Sequence, residues 1–588
     1  MTNLRFKRGL IKTRRHLCRR ETLLSAEEGK KLQTELIGRF HRKQLRRRGA
    51  ITLFAAIRRK MHINYSGALT GHAIKKAQAI VLAAALFSTC ISLGTVSLSA
   101  AQESWKNYAE SDFAGGSGTA ESPFLISSAS QLAYLAQEVN TGTTYAKQYF
   151  RLTADISLSA HQWVPVGYNY SWTAQNTFQG SFDGAGYAVS GLKIGTEDTK
   201  NSNYPYAGFF GYLSGNVQNL SVSGSVYSAY AAKNGSADIG LLAGEDYHGA
   251  VKGCRSSGTV MGGKQANIGG LIGFNADANL TGCSSTAAVS GSGANDVGGL
   301  VGYCQAYSDP NFNGKGSFGI SGCSATGKVT GGYRAGGLVG ECSSNPDCGA
   351  SITKSHASGN VSAGDLSCTG GLVGSLSSVK AVVSGCFASG GVTAGDESSS
   401  SGGLIGYIVA GTVRNSYASG TVTVGDRRTL AGGLVGWNAG NIFNSYATGA
   451  IRGGTSSSVG GFVGLGSNGS VQNCYASGSA AGADNADIGG FAGSVSGDTS
   501  SISFEKCYWN SSAAQAEGNS ARAPGKRLGV GRPDSASTSC IGVSADQKKS
   551  GLAQLLSGNI TALHLKGAVK WKYTNGKNSG FPVLSGVS

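Results

Sequence analysis

A Gly-Gly-Leu-Val-Gly pentapeptide, or a close variant of it, returns ten times between Gly208 and Gly493, and a period of this kind restricts the chain to a repeat architecture. The last glycine of each copy falls at Gly211, Gly244, Gly273, Gly302, Gly340, Gly374, Gly406, Gly436, Gly464 and Gly493, in steps of 28 to 38 residues. Steps near 29 are too long for a hexapeptide coil and too short for a propeller blade. The cleanest copy, from Gly432 to Gly454, reads GGLVGWNAGNIFNSYATGAIRGG. It holds three short β-branched or apolar runs separated by Gly, Asn and Ser, with no amphipathic helical pattern. The expected fold is all-β: a right-handed parallel β-helix-like solenoid with one three-strand coil per repeat.

Aligned copies form columns, and columns assign facing. After the bend stand Leu220, Cys254, Cys283, Cys323, Ser355, Cys386, Ser416, Ser445, Cys474 and Cys507, and a third-run column runs from Val226 and Val260 to Ile451 and Ala480. Small or apolar residues at alternate positions mark the inward face of a strand. Stacking them lets a chain with only 14% charged residues and 8% aromatics bury a core. Gly253, Gly282, Gly322 and Gly385, or Asn219, Asn415, Asn444 and Asn473, occupy the bends because these types tolerate positive φ. Open solenoid ends need caps. Ser128 to Asn140 reads as an amphipathic helix over the N-terminal edge; Ala545 to Leu556 is a second short helix, followed by closing strands.

The formal charge of +18 would suggest a polyanion partner, but its distribution removes that suggestion. Residues 1–60 hold 19 Lys or Arg against 4 Asp or Glu, whereas from Gln102 onward the counts are 29 and 28. A nearly neutral repeat region has no basic stripe to release counterions from phosphates, so no nucleic-acid partner is expected. After Met61 come Lys75 and Lys76, an apolar run from Ala79 through Leu93, and small residues to Ala101, the arrangement of a secretory signal. The expected organisation is a basic extension over 1–60, read as a start-site artefact with Met61 as the true start, and a signal peptide over 61–101. An N-terminal cap with the first coils follows over 102–200, then repeats over 201–510, a linker over 511–544, and a C-terminal helix with closing strands over 545–588. The mature chain is expected to carry no transmembrane helix, with a retained signal anchor as the alternative.

The GGLVG cores followed by NSYATG or NCYASG segments resemble the GLUG motif, an extracellular repeat of bacterial surface proteins, and GGSGTAESPFLISSASQLAYLA, FRLTADISL, WVPVG and FQGSFDGAGYAVSGLKI fit the entry region of such proteins. The resemblance covers about Phe113 to Asn510 and the FPVL tail. It implies a secreted or cell-surface protein; some relatives resemble adhesins, and some carry the repeats beside a zinc peptidase that cuts immunoglobulin A. The HExxH pattern of such a peptidase is missing here, so that activity is not carried over.

Two outward columns are candidate sites. Phe387, Tyr417, Tyr446, Tyr475 and Tyr508 would make a solvent-facing ladder on which sugar rings or a partner's apolar patch could stack, or which simply stiffens the sheet. Asp365, Asp396 and Asp426 would lie about 5 Å apart. They either share a structural Ca²⁺ or act as Gly-Asp turns whose carboxylates accept local backbone hydrogen bonds. Asp238, Asp277, Asp296, Glu341 and Asp487 read as singly scattered acids at coil edges, Asp155 and Asp183 as turn formers, and His161, His248 and His356 as satisfied surface residues outside any metal-ligand spacing, so no catalytic residue is assigned. Eleven cysteines lie beyond the signal. Their exchange with Ser and Leu suggests packing residues, with Cys254–Cys283, Cys304–Cys342 and Cys348–Cys368 left open as bridges. The expected function is a non-catalytic adhesin-like rod binding an extracellular glycan or protein. A polysaccharide lyase or glycoside hydrolase, and a passive stalk, are the alternatives.

Overall fold

The computed structural model describes residues 103–168, 176–230, 236–309, 314–397, 399–496, 502–513, 528–532, 540–544, 550–574 and 578–587; the basic extension and the signal peptide lie outside them. These residues belong to a unit spanning Ala101–Ser588. Within it the repeats form a parallel β-solenoid, and the cleanest copy shows how. Leu430–Gly432 enters the glycine bend, Val435–Asn438 and Asn441–Phe443 form a second face, and Tyr446–Ala447 with Ile451–Arg452 form a third. Each strand pairs in parallel with its equivalent one coil later, as in Leu430↔Ser458, Val435↔Val463, Tyr446↔Tyr475 and Ile451↔Ala480. The three expected runs become five short strands because two faces are kinked.

The glycine bend explains the repeat. A Cβ on Gly432 would sit 1.9 Å from the Val435 carbonyl oxygen, and one on Gly436 would sit 2.5 Å from the Ser401 backbone nitrogen of the preceding coil. Backbone packs on backbone there, so no side chain is admitted. The other bends use positive φ where expected, at Asn219, Asn415, Asn444 and Asn473 and at Gly253, Gly282, Gly322 and Gly385. The columns assigned inward are buried along their whole length, from Leu220 and Cys254 to Cys507 and from Val226 to Ala480.

One boundary needs correction. The expected linker over 511–544 contains another coil: Val530–Arg532 pairs in parallel with the strand at Ala492, and Cys540–Val543 pairs with Cys507–Asn510. Gly529-Val530-Gly531 is a worn glycine bend, hidden by the Ser-, Ala- and Arg-rich sequence around it. The second face therefore counts eleven successive layers from Phe210–Leu213 to Val530–Arg532.

At the N-terminal end, α1 (Ala129–Asn140) begins where Ser128 Oγ accepts the Gln131 N–H at 3.1 Å, and Leu132, Leu135, Ala136 and Val139 join the core of the first coils. At the other end, α2 is described over Ser550–Ala562, residues 545–549 of the expected helix lying outside the described residues, and Trp571–Lys572 pairs antiparallel with Val583–Leu584 rather than extending the solenoid.

All eleven described cysteines are free thiols. None of the three bridges left open is formed. Parallel stacking holds successive Cβ atoms about 4.8 Å apart and aligned, whereas a disulfide needs about 3.8 Å. The thiols of Cys254, Cys283, Cys323 and Cys386 point instead at backbone carbonyls two residues earlier, while Cys348 meets Ser308 and Cys368 pairs with Arg334 and Ser400. A thiol reagent added to the folded protein should therefore modify Cys368, which is half-buried, and spare the ten buried thiols until denaturant is added. Rapid modification of several of these eleven, or a deficit of free thiols after unfolding, would contradict the assignment.

Candidate functional site

The aromatic column is a true ladder. His356, Phe387, Tyr417, Tyr446 and Tyr475 stack with centroids 4.7 to 5.1 Å apart and planes within 4°. It faces outward from the coils, as the alternation requires, but the expectation that all of it meets solvent is wrong. Tyr446, Tyr475 and Tyr508 are 4%, 1% and 3% exposed, because α2 and the C-terminal strand pair lie on them. Only Phe387 and Tyr417, with His356, stay half-buried and reachable.

This C-terminal strap is fixed by the bend asparagines. Asn444 Nδ2 donates to Asn415 Oδ1 at 2.7 Å and Asn473 Nδ2 to Asn444 Oδ1 at 2.9 Å, continuing into Asn559, whose Nδ2 donates to Asn473 Oδ1. The same amides donate to the Gly567, Val569 and Leu556 carbonyls, and Trp571 Nε1 donates to Asn444 Oδ1 at 2.6 Å. Phe581 stacks on Tyr475 at 5.6 Å. Residues expected as terminal closing elements thus cover a flank, because a polar ladder and an aromatic ladder lie side by side there and together bury well.

The acidic column accepts backbone N–H groups of the following coil rather than of its own turn. Asp365 Oδ1 accepts the Asp396 N–H at 2.8 Å, Asp396 Oδ1 the Asp426 N–H at 3.0 Å, and Asp426 Oδ1 the Thr455 N–H at 2.7 Å. Each exposed carboxylate thereby ties its coil to the next, and the Thr455 bond holds the Asp426 carboxyl below its usual range. Among the described residues no three His, Cys, Asp or Glu side chains gather around a point as metal ligands would. Asp183 accepts the Ala185 N–H as a turn former does, whereas Asp155 accepts the Ala188 N–H of the next coil.

The scattered-acid expectation is corrected by the glycine bend. Arg334 pairs in register with Asp296 of the preceding coil, its Nε 2.5 Å from Asp296 Oδ1, and meets Glu341, seven residues on, across the bend, its Nη2 3.0 Å from Glu341 Oε2. Asp238 and Asp296 stand in the column before the bend, and Glu245 and Glu341 in the column after it with Tyr212, Phe274 and Tyr303. Burial pushes the Asp238 and Glu341 carboxyls up to about 7, and Glu245 well above its usual range, where Asp238 adds repulsion. Their oxygens have protein partners: Asn267 and Ser236 for Asp238, Arg334 for Asp296, Arg334 and Ser377 for Glu341, and Tyr212 for Glu245. A string of occupied carboxylates reads as a buried polar network rather than as an acid and base flanking a substrate. Further along the same outward column half-buried Tyr407 and Trp437 stack at 4.2 Å with planes 9° apart, as Phe274 and Tyr303 do at 5.0 Å. Sequence reading missed these rings; their signal was an aromatic one residue after the last glycine of a bend.

Comparison with known proteins gives a matching description. The profile of the GLUG motif matches residues 265–290, 397–423, 428–452 and 455–481, so the chain carries GLUG repeats. A protein of Evansella cellulosilytica, provisionally named a Gly-rich membrane protein, is 34% identical over 143 residues, 23% of this chain and 14% of that one. Halomucin of Haloquadratum walsbyi is 33% identical over 139 residues, 22% of this chain and 1% of that one. The chain thus spans a minor part of these two curated relatives. A crystal structure from Bacteroides ovatus, provisionally described as an immunoglobulin A1 protease, aligns over 81% of this chain and 98% of its own at 18% identity with a TM-score of 0.29, too low to carry an argument.

Proposed function

We propose that this GLUG-repeat chain is a surface-displayed, non-catalytic rod that binds glycan through ring pairs on its outer face. The observation that carries the reading is the Tyr407–Trp437 stack, two parallel half-buried rings on a rigid sheet. Sugar rings present C–H faces to such platforms, and a β-solenoid holds them without an ordering cost at binding. The near-neutral balance of the region after Gln102 fits contact with neutral or weakly charged chains. The names of the relatives, a membrane protein and a mucin, fit display outside the cell. Among the described residues no helix is long and apolar enough to cross a membrane.

The test is a glycan array probed with the full chain and with Trp437→Ala. The expected outcome is retention of a defined glycan by the wild type and a loss of ~10-fold or more in the variant, the scale of one lost stacking ring. Retention unaffected by the substitution would remove the ring pair from the site. Absence of any retained glycan would leave the stalk, and release of new reducing ends would instead show an enzyme.

A further inference from the structure

The outer face of the first coils carries a trough that none of the features above uses. It holds about 550 Å³ and runs along the rod across Tyr149–Leu152, Ser181–Asp183, Asn216–Gln218 and Ala250–Lys252, with Ala120 and Pro123 at its N-terminal rim. These strands pair in register, so their outward side chains form two straight rows: Tyr149, Ser181, Asn216, Ala250, and Arg151, Asp183, Gln218, Lys252. At a strand spacing of about 4.8 Å each row is about 14 Å from end to end.

The first row is short at Ser181 and Ala250 and ends in the Tyr149 ring, which is 39% exposed. The second presents a cation at either end, and neither Arg151 nor Lys252 pairs with a carboxylate among the described residues. Asp183, the acid between them, is occupied by its own turn, its Oδ1 accepting the Ala185 N–H at 2.9 Å and Asn219 Nδ2 at 3.3 Å. Exposed Asn216 and Gln218 complete the floor with groups that both donate and accept. A ring platform, two-way hydrogen bonders and two unanswered cations, at intervals close to the repeat of a sugar chain, select one class of ligand.

We infer that this trough binds an anionic oligosaccharide lying along the rod, with a sugar face on Tyr149, hydroxyls on Asn216 and Gln218, and carboxylate or sulfate groups on Arg151 and Lys252. The inference rests on the reading of the rod as a glycan binder, and adds a second site and a charge class to it. The two anionic groups share one chemistry here, a charge-assisted hydrogen bond to each cation.

Calorimetric titration of the full chain with a galacturonate tetramer, with a sulfated tetrasaccharide and with the carboxyl-reduced, neutral form of the first tests it. At least one acidic probe should bind, the neutral form should bind ~10-fold more weakly, and affinity should fall as salt is added. The double variant Arg151→Gln/Lys252→Gln should weaken binding by ~10-fold or more, and Tyr149→Ala by about 5-fold. Failure of both acidic probes to bind, equal affinity for the neutral form, or an unchanged double variant would overturn the inference, as would equal binding of a tetra-aspartate peptide. Binding lost in Trp437→Ala but kept in the double variant would also overturn it while leaving the ring-pair reading intact; the reverse pattern would support the trough, and the ring pair is then judged by the glycan array alone.

Discussion

Trp571→Ala is expected to lift the C-terminal strap off the flank of the solenoid, seen as rapid cleavage within residues 550–587 by a trace of protease while the strand content of the coils persists. Trp571 is the anchor of that contact: it is buried, its ring lies 5.8 Å from Tyr446 and 5.5 Å from Tyr475, and its Nε1–H donates to Asn444. Truncating a buried Trp in a packed site costs about 3–5 kcal/mol. Local docking of a peripheral element has less stability than the coils beneath it, so the loss appears there first. Removing only the polar partner, by Asn444→Ala, should have a smaller effect in the same direction. Protease resistance equal to the wild type would show that the remaining contacts of Phe581, Leu556 and Leu584 suffice. Release would also uncover Tyr446, Tyr475 and Tyr508 in continuity with Phe387 and Tyr417. A glycan array run on Trp571→Ala then asks the question the original ladder posed: a gain of binding over the wild type would make the strap the cover of a stacking site, and no gain would make the buried rings structural.

The ladder shows what a sequence of this kind reveals and what it hides. Facing follows from alternation, so the outward direction of Tyr475 and the burial of Cys474 one position before it were legible, as were the positive-φ bends at Asn415, Asn444 and Asn473. Cover is another matter. Asn559, Trp571 and Phe581 reach ladder side chains more than 80 residues away at Asn473, Asn444 and Tyr475, and nothing periodic links them. The Arg334 contacts were hidden for a different reason. A bend of bare backbone brings Arg334 and Glu341, seven apart, face to face, a spacing that belongs to neither a strand nor a helix, while Asp296 meets Arg334 in register one coil earlier. The last coil escaped because recognition rested on GGLVG, and Leu528-Gly529-Val530-Gly531 keeps only the final bend glycine, whose Cβ would meet the Gly493 carbonyl oxygen.

Asp246→Asn is expected to stabilise the rod, and by more as the pH rises. Asp246 is fully buried and occupies the inward column in register with Asn275, a column that later holds Asn438. Asn438 spans its turn from both ends, Nδ2 donating to the Gly440 carbonyl at 3.1 Å and Oδ1 accepting the Gly440 N–H at 3.2 Å, and Asn275 Nδ2 donates to the Ala278 carbonyl at 3.1 Å. Asp246 makes no well-formed hydrogen bond with either oxygen; the nearby Gly249 N–H offsets only part of the burial cost, and the carboxyl is pushed up to about 8. In the unfolded chain the same group titrates near 4. The folded state therefore holds the proton more tightly: the Asp246 contribution is intact below about pH 4, is lost by about 1.4 kcal/mol per pH unit through the window up to about 8, and levels off above it. Asp238 and Glu341, raised to about 7, act with the same sign over a window ending one unit lower. The wild type should accordingly melt at a higher temperature at pH 5 than at pH 8. Asparagine at 246 supplies the neutral amide that its column neighbours use, and the gain should be on the order of 4 kcal/mol at pH 7, vanishing near pH 4. Because a solenoid opens coil by coil, the sharpest reading is hydrogen exchange of the amides from 238 to 262 in the two proteins across that range. A wild-type rod that gains stability with rising pH, or an Asp246→Asn chain less protected than the wild type at pH 8, would show that the carboxylate is ionised and held by partners rather than kept neutral by burial.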